Sequence, residues 1–133
     1  MPKYLVAIQH PEDYDPSLEG EAMIRDIGAL NEEMDAAGAR FFAGGLESAS
    51  HARSLRKQPD GNASITDGPY LEAKEHIGGY WIIQVRSREE AIEWAKRAPM
   101  SNNERIEVRQ IHEMSDFPED VQKAAEGFEH LNR

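Results

Sequence analysis

The chain has 133 residues, no cysteine, and 25 acidic against 15 basic side chains, for a formal charge of −10 at pH 7. Disulfides, thiolate metal sites and cysteine nucleophiles are therefore excluded, and the negative charge disfavours nucleic-acid backbones and anionic membranes as partners. The length predicts one domain with a real core, no apolar run approaches the ~20 residues of a membrane helix, and the start of the chain carries no signal pattern, which reads as cytoplasmic.

Residues 3–9 read as a first strand, apolar almost throughout, as expected of a central strand covered on both faces. His10-Pro11 ends it, and an acidic loop follows to Asp15. Asp15-Pro16 is good helix-start chemistry, an N-cap followed by proline at the first helical position. Leu18, Met23, Ile27, Leu30 and Met34 then form an apolar stripe, with the two methionines as core filler. Gly38 is the expected terminator. Residues 40–43 form a second strand. Residues 51–57 and 62–66 flank Gln58-Pro59-Asp60-Gly61, an exposed or edge hairpin with thin, polar arms.

Residues 66–81 carry the densest polar chemistry. Asp67-Gly68-Pro69 forces a turn, since Gly68 tolerates a positive φ and Pro69 fixes its own. Glu72, Lys74, Glu75 and His76 follow, and Gly78-Gly79 precedes the strongest strand, residues 80–85. Ser87-Arg88-Glu89-Glu90 is a capping box for a helix to about Arg97 that buries Ala91, Ile92, Ala95 and Ala98. Residues 105–111 alternate, with Arg105, Glu107 and Arg109 on the wet face. A last helix from Asp116 onward carries Phe117, Val121, Ala124, Phe128 and Leu131 as a stripe that must dock on its own domain or on a partner.

This order predicts an α+β fold, a ferredoxin-like βαββαβ core with an inserted β-hairpin and an extra C-terminal helix. Residues 1–114 form the domain and 115–133 the helical extension. Both long helices cover one face of an antiparallel sheet. With Tyr4, Val6, Ile8, Trp81, Ile83 and Val108 available, the other face is expected to be too apolar for water, so a homodimer is expected to bury it.

Several side chains are candidates for chemistry. Asp67 either accepts amide hydrogen bonds in an Asx-turn or serves as a general base over a dry pocket. Lys74 and Glu75 either pin the loop by ion pairing or work together, with Lys74 on an anionic or enolate oxygen while a carboxylate moves the proton. Glu72 either satisfies the turn or pairs with Arg109. Arg109 pairs with Glu107 or clamps a carboxylate ligand. His10, at the end of the first strand, and His51, at the hairpin entry, are the histidines the fold can bring near the loop. No histidine pair has close ligand spacing, so no metal is expected, and neither a P-loop nor a dinucleotide fingerprint is present.

Residues 67–75, Asp-Gly-Pro-Tyr-Leu-Glu-Ala-Lys-Glu, followed by Gly78-Gly79-Tyr80, resemble the "DGPF" signature of the YCII-related proteins. Gly44-Gly45-Leu46, residues 90–95 and Ile106-Glu107-Val108-Arg109 agree with it, and the resemblance covers residues 3–112. Tyr70 stands where the family usually has phenylalanine, and Gln110 where it usually has proline. The resemblance implies a ferredoxin-like fold that dimerises as an α+β barrel. It also implies a superfamily of isomerases, chloride-eliminating lyases and cofactor-free monooxygenases, with some relatives beside or fused to extracytoplasmic-function sigma factors.

Two functions follow as expectations. One is a cofactor-free small-molecule isomerase or lyase, with Asp67, Lys74, His10 and His51 as catalytic candidates and Glu72, Glu75, Arg109 and Tyr70 as ligand-binding ones. The alternative is a dimeric small-molecule-binding or regulatory module that uses the same loop without turnover.

Overall fold

A computed structural model describes residues 1–11, 14–15, 17, 19–70, 73–100 and 104–127. The chain runs β1 (Lys3–Pro11), α1 (Glu21–Ala36), β2 (Arg40–Gly45), β3 (Arg53–Lys57), β4 (Ala63–Asp67), β5 (Glu75–Gln84), α2 (Arg88–Lys96), β6 (Arg105–Gln110) and α3 (Glu119–Ala124). Four strands form one antiparallel sheet in the order β2-β5-β1-β6, while β3 and β4 pair as a separate hairpin. With α1 and α2 as the connections from β1 to β2 and from β5 to β6, this is the ferredoxin-like α+β arrangement that the element order predicts.

β1 lies between β5 and β6, and the register sets which side chains meet. Val6 stands opposite Trp81 on one side and Val108 on the other, and Tyr4 stands opposite Ile83. Because side chains alternate along a strand, these residues share a face. They pack with Leu30 and Met34 of α1 and Ala91 and Ala95 of α2 to form the core. Val6, Ile83 and Ala91 are wholly buried. Each large aliphatic side chain removed from water here stabilises the fold by about 1.5–3 kcal/mol.

That packing corrects the expectation about the sheet's uncovered face. Tyr4, Val6, Ile8, Trp81 and Ile83 are buried, and Val108 is packed against them under the helices. The opposite face carries Leu5, Ala7, Tyr80, Ile82 and Phe42 near the middle, with Arg105, Glu107 and Arg109 along β6. It is less apolar than expected. Phe42 is nonetheless half exposed, and its ring lies 6.0 Å from that of Tyr80.

The first helix begins at Glu21, not at Asp15, with Gly20 as an extended N-cap. Asp15 makes an Asx-type turn instead. Its Oδ1 accepts from the Ser17 amide at 2.9 Å and from the Ser17 hydroxyl at 2.7 Å. Those two bonds hold the Asp15 carboxyl below its ordinary range. Pro16 and Leu18 lie outside the described residues. Gly38 does take a positive φ, 69°, after the helix.

β5 begins at Glu75, five residues earlier than the sequence suggests, because β1 extends far enough to pair with it. Pro11 stands opposite Glu75 and His10 opposite His76, beyond a register shift at Ile8/Gln9 that leaves Gly78 unpaired. In α2 the Ser87 hydroxyl accepts from the Glu90 amide at 3.2 Å, while the Glu90 carboxylate reaches the Arg86 amide rather than that of Ser87. Ile92 is exposed, and Trp94 packs against the core instead. The hairpin is exposed along both arms, as its composition predicts. Phe117 and Val121 of the last helical segment are also exposed, and Phe128 and Leu131 lie outside the described residues.

Arg40 ties the start of β2 to the end of α1. Its Nε and Nη2 donate to the two carboxylate oxygens of Asp35 at 2.7 and 2.6 Å. That hydrogen bonding lowers the Asp35 pKa below the ordinary aspartate value. A carboxyl with a depressed folded-state pKa contributes stability above the unfolded value of about 4, and that contribution is lost as pH falls through the lowered folded value. Asp35→Asn is therefore expected to flatten the loss of stability in denaturant titrations below about pH 4 relative to wild type. An unchanged acid limb would show that the pair contributes nothing.

Candidate functional site

The end of β1 opens into a cavity of about 350 Å³ between α1 and the sheet. Ile8, Met23, Ile27, Ala43, Pro99 and Trp81 supply its apolar wall, and His10, Tyr14, Glu19, Asn31 and Glu104 its polar atoms. The amphipathic stripe of α1 explains the mixture. Leu30 and Met34 are buried in the core, whereas Met23 and Ile27, nearer the start of the helix, line the cavity. Met23 is therefore a cavity residue, not the core filler its spacing suggests. Trp81 is fixed by its indole N–H, which donates to Asn31 Oδ1 at 2.7 Å.

His10 is the centre of the polar group. Its ring stacks flat on Tyr14, with centroids 3.6 Å apart and planes within 3°. Its Nδ1 lies 3.4 Å from Glu104 Oε1, with side-chain exposures of 14% and 7% respectively. Nδ1 is buried and has no hydrogen-bond partner among the described residues. On the ring's other side, a methyl group added to Gly78 would lie 2.1 Å from His10 Cδ2. Gly78 thus leaves the space that the imidazole fills.

The Tyr14 hydroxyl donates to Glu19 Oε1 at 2.5 Å. Burial, followed by the hydrogen bond and charge of Glu19 and the charges of Glu104 and Asp15, pushes the Tyr14 phenol well above its ordinary pKa. Tyr14 therefore stays a neutral donor that holds Glu19, and its ring holds His10. Glu104 lies beside Nδ1 without hydrogen-bonding to it, so it acts on the ring as a nearby negative charge.

The other sequence candidates lie on the outer surface. Asp67 is 87% exposed and pairs with Arg53 Nε at 3.0 Å. It shares an open groove with Lys74, His76 and the Ala49–His51 turn region, whose Ser48, Ala49 and Ser50 form one side. His51 is exposed, 3.4 Å from Glu47, and shares a neighbouring groove with Glu75 and His76. A third groove joins His76 to His10 and Tyr14, which therefore form the wall between the surface and the inner cavity. Tyr70 is exposed, and Glu72 lies outside the described residues. Arg109 is on the opposite sheet face, ion-paired with Glu107. The structure thus groups Asp67 with Lys74, and His51 with Glu75, and separates Arg109 from both. Among the described residues no group of three His, Asp or Glu side chains is placed to hold a metal ion.

Tyr14, Glu19, Asn31 and Glu104 were not singled out by sequence. Glu104 had a usable signal. The sheet order predicts that β6 starts beside the end of β1, and Gln9 does pair with Arg105, which places Glu104 next to His10. Nothing comparable marks Tyr14 or Glu19, which sit in an irregular connection.

The geometry around Gly78 is directly testable. Gly78→Ala is expected to cost about 1–3 kcal/mol in denaturant unfolding, because the ring it displaces is held by Tyr14. Gly28→Ala, in α1 with open space around it, is expected to gain about 0.5–1 kcal/mol. Equal stability of Gly78→Ala and wild type would show that His10 is not held there.

The model of the YCII-related domain family matches residues 3–115 of the chain. An uncharacterized protein of Rhizobium meliloti (strain 1021) is 30% identical over 84 residues, which cover 63% of this chain and 67% of that protein.

Proposed function

The chain belongs to the YCII-related domain family, and from that premise we propose that it is a cofactor-free acid–base catalyst, an isomerase or lyase acting on a small organic molecule. The observation that carries the proposal is His10, largely buried at the wall of an apolar cavity with Glu104 beside Nδ1. A proton carrier at a small, largely apolar cavity with a carboxylate beside it is the minimum that proton abstraction and return require. In an isomerisation, His10 Nε2 takes a proton from carbon beside a carbonyl, and the protonated imidazole returns it to a neighbouring carbon, so the enzyme ends unchanged. In an elimination the same nitrogen takes the proton while the leaving group departs with the bond's electrons.

This reading moves proton transfer away from Asp67 and Lys74. Both are exposed, and the Arg53 pair gives Asp67 a loop-pinning role. His51 and Glu75 remain as groups of an outer groove, and Tyr70 is exposed. The alternative is a binding or regulatory module that uses the same cavity without turnover.

The proposal includes a homodimer through the open sheet face, where Leu5, Tyr80, Ile82 and Phe42 offer apolar surface bordered on one side by the charged residues of β6. The proposal also divides the chain into a domain of residues 1–114 and a C-terminal extension whose described part holds α3, with Phe117 and Phe41 bordering one groove beside that face.

Two experiments separate these readings. Ligands found by thermal shift among small aromatic and lactone compounds are incubated in D2O with wild type and His10→Gln. Catalysis predicts deuterium uptake that falls at least about a hundredfold in the variant while binding persists. Uptake unchanged in His10→Gln contradicts the catalytic role, and binding without uptake in wild type favours the module. For assembly, sedimentation of wild type is expected to give a dimer at micromolar concentration and Ile82→Asp a monomer. A monomeric wild type overturns the dimer.

A further inference from the structure

Resting on the reading that this cavity is the ligand site, we propose that its ligand is a small organic ammonium ion with an aromatic or branched apolar body, and that the cavity rejects carboxylates of the same shape. Two carboxylates, Glu19 and Glu104, reach the cavity, and no lysine or arginine lines it among the described residues. The sequence around it reinforces the sign. Among the described residues of the two stretches that line it, 14–21 carry Asp15, Glu19 and Glu21 and 98–104 carry Glu104, with no lysine or arginine in either. The neighbouring Arg105 is exposed and sits one residue along the alternation of β6 from Glu104, on the side of Gln9.

The two carboxylates have different parts. Glu104 is almost fully buried, with its carboxylate 3.4 Å from His10 Nδ1. Glu19 Oε1 accepts from the Tyr14 hydroxyl, and Oε2 is a further acceptor. A buried carboxylate group costs least when a cation faces it, so an entering ammonium gains where an entering carboxylate adds a third negative charge. The rest of the wall fits the ligand's body. Trp81 and Tyr14 present aromatic rings of the kind that attract ammonium groups, and Met23 and Ile27 provide adaptable apolar contact.

The test compares three compounds with one phenylethyl or benzyl body: 2-phenylethylammonium, 2-phenylethanol and phenylacetate. Calorimetry on wild type is expected to show the ammonium binding at least about tenfold more tightly than the alcohol, with phenylacetate weakest. Glu19→Gln is expected to remove the advantage of the ammonium and leave the alcohol unchanged. Phenylacetate binding as tightly as the ammonium, or a preference that survives Glu19→Gln intact, overturns the inference while leaving the cavity as the ligand site. Ile27→Trp, which adds bulk to the cavity wall, is expected to weaken binding of all three at least about tenfold. Undiminished ammonium binding in a folded Ile27→Trp protein, or no binding of any compound to wild type, overturns the inference and the cavity reading together. Deuterium uptake is scored separately, so charge selectivity without turnover supports this inference and counts only against catalysis.

Discussion

The pairing of β1 with two neighbours at once governs both the core and the site. Its first half, Tyr4 to Ile8, supplies alternate side chains to the helices and locks Trp81, Ile83 and Val108 onto the same face. The register shift at Ile8/Gln9 then changes which residues meet, and the strand continues to His10 and Pro11 beside the start of β5. Because β6 runs antiparallel to β1, its first residues arrive at the same end. The polar group therefore forms where three strand ends converge, with Glu104 from one, Gly78 from another and His10 from the centre. Antiparallel pairing is specified by burial of one face, since a slip of one residue would turn the whole apolar set to water.

The convergence places charge where it is costly to leave unsupported. Glu104 is nearly buried and His10 only slightly less so. Burying a carboxylate without a partner is unfavourable by several kcal/mol, so its placement beside an imidazole is a built arrangement. Stacking on Tyr14, the gap left by Gly78 and the tether from Tyr14 to Glu19 restrain the ring from separate sides. A preorganised group of this kind suits proton transfer, because little reorganisation accompanies the reaction.

Most of the fold was legible from periodicity. The apolar run of β1, the buried Leu30 and Met34, the Ser87 cap and the alternation of β6 each have a local cause, although the helices cover only one face of β1, not both as its apolarity suggests. The misplaced boundaries arose where non-local contacts decide. Asp15 is equally suited to an Asx-turn and an N-cap, and β1 recruited residues 75–79 into a strand despite two glycines. The site was less legible for the same reason. Residues 66–81 hold the densest run of polar groups, yet their turn chemistry is directed outward, with Asp67 on Arg53 and Gly68 at a φ of 97°. His10 stood out in the sequence as the residue that ends a strand, but its partner is 94 residues away and adjacent only in the folded sheet.

The central claim is that Glu104 orients His10 for proton transfer. Long-range proton–nitrogen NMR correlations of the His10 ring, in wild type and Glu104→Gln, test it most directly. The account predicts that the neutral ring in wild type carries its proton on Nδ1, facing Glu104, and that this preference is lost when the carboxylate becomes an amide. A ring protonated on Nε2 in both proteins would contradict it.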